Sequence, residues 1–452
     1  MKIGEERWAL FMLFAMMALS YVDRAILGIL AQPIKEAMGL TDLELGFVGG
    51  PAFAVLFILS GVPIARLAER YGRVNVITVC MILWSSMTAL CGVAMSFVQL
   101  FLCRVGVGIG EAGSGPPAQS LIADFFPSQR RASASSIYLL GLPLGTIAGT
   151  VAGAIIGQHF GWRIAFFTVG APGVLLALLF RLSLREPDPG RTDGQAGAAE
   201  NTPPIRAVLA KLGRTRSFLH VAAGASIANF TSQGFGLFLS AYFLRRFNVG
   251  LAEVGVANGL IGGMSAAAGT LASGYISDWA ARYDRRWLAL APAAGLAISV
   301  PIYLLLLSQT SWTAALFVLA LPGMFFSSFV APMSAITQNV VPARMRATTF
   351  AILFTLTSFV GVALGPFVTG ILGDVFTSYA LHHLPNPAFA SQCLASVHQQ
   401  AAMVRPVCRA AGASGLRYAL SAASLFAFWA AFHFWRASRT LVEDEAAAHA
   451  AP

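Results

Sequence analysis

Twelve apolar stretches separated by short polar breaks constrain this chain more than any motif. They cover residues 8–30, 45–65, 74–95, 98–123, 132–158, 164–182, 218–242, 254–276, 288–307, 312–340, 347–374 and 418–435. A stretch of roughly 20 residues crosses a hydrocarbon core about 30 Å thick as a helix. In lipid only helices and closed barrels satisfy every backbone N–H and C=O. Composition agrees, because 57% of the 452 residues are hydrophobic and only 11% are charged. A soluble domain averages about 25% charged residues, and a chain with a mean hydropathy of +0.70 has too little polar surface to cover itself in water. The expectation is an all-α membrane protein with twelve transmembrane helices. Stretch 8–30 holds Asp23 and Arg24 and lacks a small-residue cleavage site, so it reads as a retained helix and not a signal peptide.

The formal charge of +10 does not point to nucleic acid. The 30 basic residues are scattered, with no basic face and no recognition motif. Lys/Arg bias between loops explains them better. With both termini in the cytoplasm, 21 basic residues fall on cytoplasmic segments and 7 on outer ones, and Arg24 and Arg104 lie inside spans. Arginine outnumbers lysine 27 to 3, which fits a GC-rich bacterial source, and the expected location is a bacterial inner membrane.

The rhythm breaks once. EPDPGRTDGQAGAAENTPP (186–204) is rich in Pro, Gly and polar residues and reads as a linker, followed by an amphipathic piece at 205–212. The expected organisation is an N-terminal six-helix bundle (1–184), a cytoplasmic linker (185–217), a C-terminal six-helix bundle (218–440) with a long outer loop (375–417), and a cytoplasmic tail (441–452). The halves resemble each other. A shift of 209 lays Glu44 on Glu253, Glu69 on Asp278 and Arg73 on Arg282, and a shift of 215 lays Gly108 on Gly323, Pro117 on Pro332 and Arg131 on Arg346. Two parallel six-helix repeats with a substrate site between them near the midplane is a known transporter arrangement.

The loop after span 2 reads ARLAERYGR (65–73), and the matching place in the second half reads GYISDWAARYDRR (274–286). Both resemble the major facilitator signature G-x-x-x-D/E-R-x-G-R, with Ala65 in place of the first glycine. The resemblance implies an inner gate that holds the outward-facing state, formed by Glu69, Arg70, Arg73, Asp278 and Arg282. The alternative is ordinary topology charge. Span 5 carries glycine at 141, 145, 149, 153 and 157, which favours close helix packing over a rocking-helix motif. SYVDRAILG (20–28), GIGEAGSGPPAQSLIADFFP (108–127), RRASASSIYLLGLPLG (130–145) and FGWRIAFF (160–167) together resemble the Spinster family. That resemblance implies proton coupling and an amphipathic anionic cargo of the lysophospholipid or sphingosine-phosphate type. The D-R pair of span 1 also occurs in the related organic anion:cation symporters, which leaves a small organic anion as the alternative.

Charges inside the bilayer are costly and mark pathways. Asp23, Arg24, Arg104 and Glu111 lie at that depth and sum to zero. A buried carboxylate stays ionised while a cation faces it, so exchanging that cation for substrate moves a proton. Asp23 and Glu111 are the expected proton carriers. Arg24 and Arg104 are candidates for the anionic head group, since guanidinium stays charged and binds phosphate bidentately. The competing reading is a permanent ion-pair network. In the second half Asn229, Ser232 and Gln233 are candidate head-group contacts. Phe230, Phe235, Phe238, Phe325 and Phe326 are candidates for a tail pocket, with plain core packing the commoner fate of such residues. Cys393 and Cys408 lie in the outer loop and are either bridged or free. Nothing points to an enzyme, since no H-E-x-x-H or G-x-S-x-G context accompanies the seven histidines. No catalytic residue, metal site or cofactor is expected beyond the coupling proton. A receptor or sensor would not need paired six-span repeats. The expected protein is a monomer in contact with membrane lipids.

Overall fold

The computed structural model describes residues 3–188, 204–342, 345–384, 387–394 and 404–449. Among them there is no strand; every regular element is helical. Ten helices are long and apolar enough to cross a membrane. The two remaining spans fall short for physical reasons. Span 4 is broken into Phe97–Ala112 and Gly115–Phe125 and carries Arg104 and Glu111. Span 7, Arg216–Arg246, is long enough at 31 residues but is diluted by Ser, Thr, Asn, Gln and Arg. The described residues therefore hold twelve spans.

The chain packs as two units, Met1–Ala198 with Gly250–Gly259, and Ala199–Val249 with Leu260–Pro452. In the first unit span 1 (Ile3–Met38) packs against span 5, whose main helix is Gly141–Phe160. The glycine stripe of span 5 makes that approach possible. A Cβ on Gly145 would lie 2.1 Å from the Ala18 carbonyl oxygen, so only glycine fits there. This is the packing reading of the stripe. Span 3 (Arg73–Cys91) lies against span 6 (Trp162–Ser183) and against span 4. A short helix, Ile205–Arg214, precedes span 7, while residues 189–203 of the linker lie outside the described part.

Two features depart from the sequence reading. Span 12 runs from Arg405 to His449, 45 residues, where hydropathy marks only 418–435. Span 11 closes with the helix Gly365–His382, and a further helix covers Pro387–Leu394. Much of the expected outer loop 375–417 and most of the expected tail are thus helix. Hydropathy ends where the hydrocarbon ends, and a helix rich in Ala and Arg continues beyond it. Spans 8 and 11 also contain π-helical turns at Ala257–Gly262 and Phe359–Leu364, which no periodicity in the sequence announced.

Candidate functional site

Ser20, Asp23 and Arg24 occupy just over one turn of span 1. Ser20 and Arg24 are four apart and share a face, and both reach span 4. Ser20 Oγ donates to Glu111 Oε2 at 2.9 Å, and Arg24 Nε donates to the same oxygen at 2.6 Å. Arg24 Nη2 lies 2.6 Å from it as well. The Arg24 side chain is 25% exposed and that of Glu111 is 0% exposed, so within the pair only the arginine has accessible surface. Three rings surround that guanidinium: Tyr21, Phe53 and Phe57, at 4.9, 4.8 and 5.2 Å from Arg24 Cζ to the ring centroids. Glu111 is held in place because Gly108, one turn before it, sits directly on the Phe53 backbone; a Cβ there would lie 2.3 Å from the Phe53 carbonyl oxygen.

Asp23 is rotated about 100° from Arg24 on the helix and points elsewhere. Its Oδ2 accepts from Thr88 Oγ1 of span 3 at 3.1 Å, and the residue is fully buried. Arg104 is buried too, with its Cζ 5.3 Å from the Phe53 ring centroid, and its Nε and Nη1 have no hydrogen-bond partner among the described residues. Asp23 Oδ1 and Glu111 Oε1 are likewise without one. Arg104, Arg24 and Glu111 are the charged groups that act on Asp23. The four intramembrane charges, expected to divide between proton carriers and head-group contacts, lie close together: Glu111 is paired with the partly exposed Arg24, and Asp23 and Arg104 are enclosed. Thr88 was not among the expected residues. A lone threonine in an apolar helix carries no signal until its partner is known.

Of the expected gate residues, Arg73 alone is locked in place. It bonds Asp124, Ser120 Oγ at 2.9 Å, Glu186 Oε1 at 2.7 Å and the Pro187 carbonyl at 2.9 Å. Glu186 also accepts from the Val74 N–H at 2.7 Å. Glu69, Arg70, Asp278 and Arg282 are exposed, and their side chains make no hydrogen bond or ion pair among the described residues. In the second unit the anchoring arginine is Arg285 and not Arg282. Arg285 reaches both oxygens of Glu445 at 3.1 Å, and Asn339 Nδ2 donates to Glu445 Oε1 at 3.1 Å. The two units carry related devices. In the first, Arg73 after the second span meets Asp124 at the end of the fourth and Glu186 beyond the sixth; in the second, Arg285 after the second span meets Glu445 near the end of the sixth, and Asn339 at the end of the fourth donates to that same carboxylate. Asp124 and Asn339 are related by the same shift of 215 that relates the halves in sequence. Glu186 and Glu445 were missed because they lie in segments that read as linker and tail.

The expected second-half contacts are less exposed to a ligand than their residue types implied. Asn229 Nδ2 donates to the Thr357 carbonyl at 2.8 Å and packs on Gly361 in the π-helical turn of span 11. Phe235 packs at a tilt against Tyr303, with ring centroids 4.4 Å apart, and Phe238 is fully buried, so both are core residues and not a tail pocket. Ser232 is exposed and Gln233 half-buried. Cys393 and Cys408 are joined in a disulfide, which ties the Pro387–Leu394 helix to the first turn of span 12.

Two units of six long apolar helices, one of them enclosing a charge cluster, define a polytopic membrane transport protein. The chain belongs to the Major Facilitator Superfamily, whose family model matches residues 13–366, and within it is Spinster-like. A bacterial homolog of the human lysosomal transporter Spinster, solved in an inward-facing, unoccupied conformation, superposes with a TM-score of 0.90 at 30% identity, covering 98% of this chain and 99% of that one. An MFS-type efflux pump of Mycolicibacterium smegmatis is 33% identical over 378 residues, 82% of this chain and 85% of the pump. A probable L-galactonate transporter of Escherichia coli is 25% identical over 385 residues, 82% of this chain and 84% of that protein.

Proposed function

We propose that this chain is a proton-coupled carrier in which a substrate anion competes with Glu111 for Arg24. The observation that carries the reading is the asymmetry of the pair. Arg24 is partly exposed, while Glu111 behind it is enclosed and shares a single oxygen between Ser20 and Arg24. When an anion takes the guanidinium, Glu111 loses its cation inside an apolar bundle. A carboxylate left unpaired there takes up a proton. When the anion leaves, Arg24 returns and the proton is released. Asp23 is the second carrier, balanced against Arg104. Arg104 is too enclosed to be a first contact for substrate and acts as the standing counter-charge of Asp23.

The cargo best suited to this site is an amphipathic anion of the lysophospholipid or sphingosine-phosphate class. Tyr21, Phe53 and Phe57 frame the guanidinium with ring faces, which favour an apolar body joined to a charged head. A small sugar acid is the second reading, favoured by the likeness to the probable L-galactonate transporter. Such a cargo needs polar partners for its hydroxyls, and the rings around Arg24 provide few. The proposed setting is a bacterial inner membrane with both termini in the cytoplasm, and Arg73 with its carboxylates as a fixed anchor of the inner gate.

The test is flux in proteoliposomes under an imposed pH gradient, with labelled lysophospholipid and labelled galactonate in parallel. The expected result is gradient-dependent movement of the lipid, lost in Glu111→Gln. Galactonate movement alone would replace the lipid reading with the sugar-acid one. Gradient-dependent flux that survives intact in both Asp23→Asn and Glu111→Gln would end the coupling mechanism.

A further inference from the structure

Spans 3 and 4 run antiparallel, with glycines where they meet. A Cβ on Gly110 would lie 2.8 Å from Trp84 Cβ, and one on Gly106 would lie 2.6 Å from Met87 Cγ. Each step of three or four residues along span 3 is matched by a similar step back along span 4. The next step sets Cys91, the last residue of Arg73–Cys91, against Cys103, in the second turn of Phe97–Ala112. Their thiols share a hydrogen bond, and neither is in a disulfide. Cys91 is fully buried and Cys103 is half-buried. A disulfide needs Cα atoms within about 7 Å, and the close approach across Gly106 and Gly110 favours that.

The thiols adjoin two residues that surround Asp23. Thr88, which donates to Asp23, is three residues before Cys91 and shares its face of span 3. Arg104 directly follows Cys103. Arg104 acts electrostatically on both thiols, and Asp23 acts on Cys91. Arg104 is 2% exposed, and its Nε and Nη1 have no hydrogen-bond partner among the described residues. A guanidinium beside a thiol makes the sulfur a better target for an electrophilic oxidant. Plain core packing accounts for one buried sulfur, but not for two in contact beside a cation with open donors. Cys80, the third free cysteine, packs on Gly113 instead.

We infer that Cys91 and Cys103 form a dithiol site that a peroxide converts to a disulfide, and that the bridge arrests the carrier by fixing spans 3 and 4 around Asp23. The second part rests on the proposed coupling role of Asp23. The Cys103 sulfur, which has the accessible surface, attacks a peroxide oxygen. The O–O bond breaks, water leaves and a sulfenic acid remains. The Cys91 sulfur then attacks the sulfenic sulfur; the S–O bond breaks, the S–S bond forms and a second water leaves. Two electrons pass from the sulfurs to the peroxide, and both thiol protons leave in water. In the proposed topology the pair lies toward the outer, oxidising face. Alternating access requires Asp23 to change its surroundings, and a covalent tie between the helices that carry Thr88 and Arg104 opposes that change.

The test treats the full-length protein in proteoliposomes with hydrogen peroxide and then blocks free thiols with an alkylating reagent. A non-reduced peptide map by mass spectrometry is read beside gradient-dependent flux of labelled lysophospholipid and galactonate. The variants are Cys91→Ala and Cys103→Ala, with Cys80→Ala as control. Each single variant removes the bridge, so one that folds is sufficient. A peptide cross-linked through Cys91 and Cys103 is expected in the wild type and in the control, with flux falling as the bridged fraction rises. Both pair variants are expected to keep their flux through the same treatment. Three results overturn the inference: no cross-linked peptide forms, bridged protein carries flux as untreated protein does, or the pair variants lose flux as the wild type does. Absence of gradient-dependent flux in untreated wild type would instead end the transport reading, and the peptide map would still decide whether the dithiol site exists.

Discussion

Arg24 and Glu111 meet across spans 1 and 4 at 2.6 Å, with the arginine side chain partly exposed and the carboxylate fully buried. Removing one partner strands the other. Arg24→Ala leaves Glu111 uncompensated and is expected to lower stability by about 3 kcal/mol. Glu111→Gln/Arg24→Gln removes both charges and is expected to regain most of that loss without regaining flux. Thermal unfolding in detergent beside proteoliposome flux checks both. Equal stability of Arg24→Ala and the double variant would contradict the pairing.

Asp23→Asn keeps an oxygen for Thr88 Oγ1 and removes the charge. Folding is expected to survive and the response of flux to a pH gradient to flatten. Thr88→Val removes only the hydroxyl and is expected to cost about 1 kcal/mol, with coupling retained. The measurement is initial rate against external pH for each variant.

Gly145→Ala places a methyl 2.1 Å from the Ala18 carbonyl oxygen, and span 5 must shift away from span 1. The expected loss is about 1–3 kcal/mol. Gly61→Ala, where a Cβ meets nothing within 4 Å, is expected to be neutral. Paired unfolding temperatures decide it.

Arg73→Ala removes the cation from buried Asp124 and from Glu186, while Arg282→Ala touches no ion pair among the described residues. Arg73→Ala is expected to destabilise by about 3 kcal/mol and Arg282→Ala by under about 0.5 kcal/mol. Arg285→Ala should fall between them, because its side chain is half exposed. The ranking is read from thermal unfolding of the three single variants.

Cys393→Ser/Cys408→Ser opens a link between positions 15 residues apart. A closed loop of that length contributes about 3 kcal/mol in the chain-entropy model, so the unfolding temperature should drop. Disulfides persist on the oxidising side of a membrane. A gel shift with a thiol-reactive polymer in intact cells should therefore show these two cysteines blocked until a reductant is added. Free thiols before reduction would reverse the proposed sidedness.

Membrane class, the helix count, the paired repeats and the family were legible in sequence, because hydropathy and signature motifs are local properties that the bilayer reads directly. Asp23, Arg24, Arg104 and Glu111 were legible for a similar reason: charge is so costly in hydrocarbon that its position alone marks it. Tertiary structure decided which groups those charges meet. Which of two arginines faces Glu111 depends on a 100° step around span 1 and on how closely Gly108 and Gly145 let their helices approach neighbours. The roles of Thr88, Glu186, Arg285 and Glu445 depend on contacts between residues distant along the chain. No local pattern encodes such contacts, since they exist only once the helices have packed.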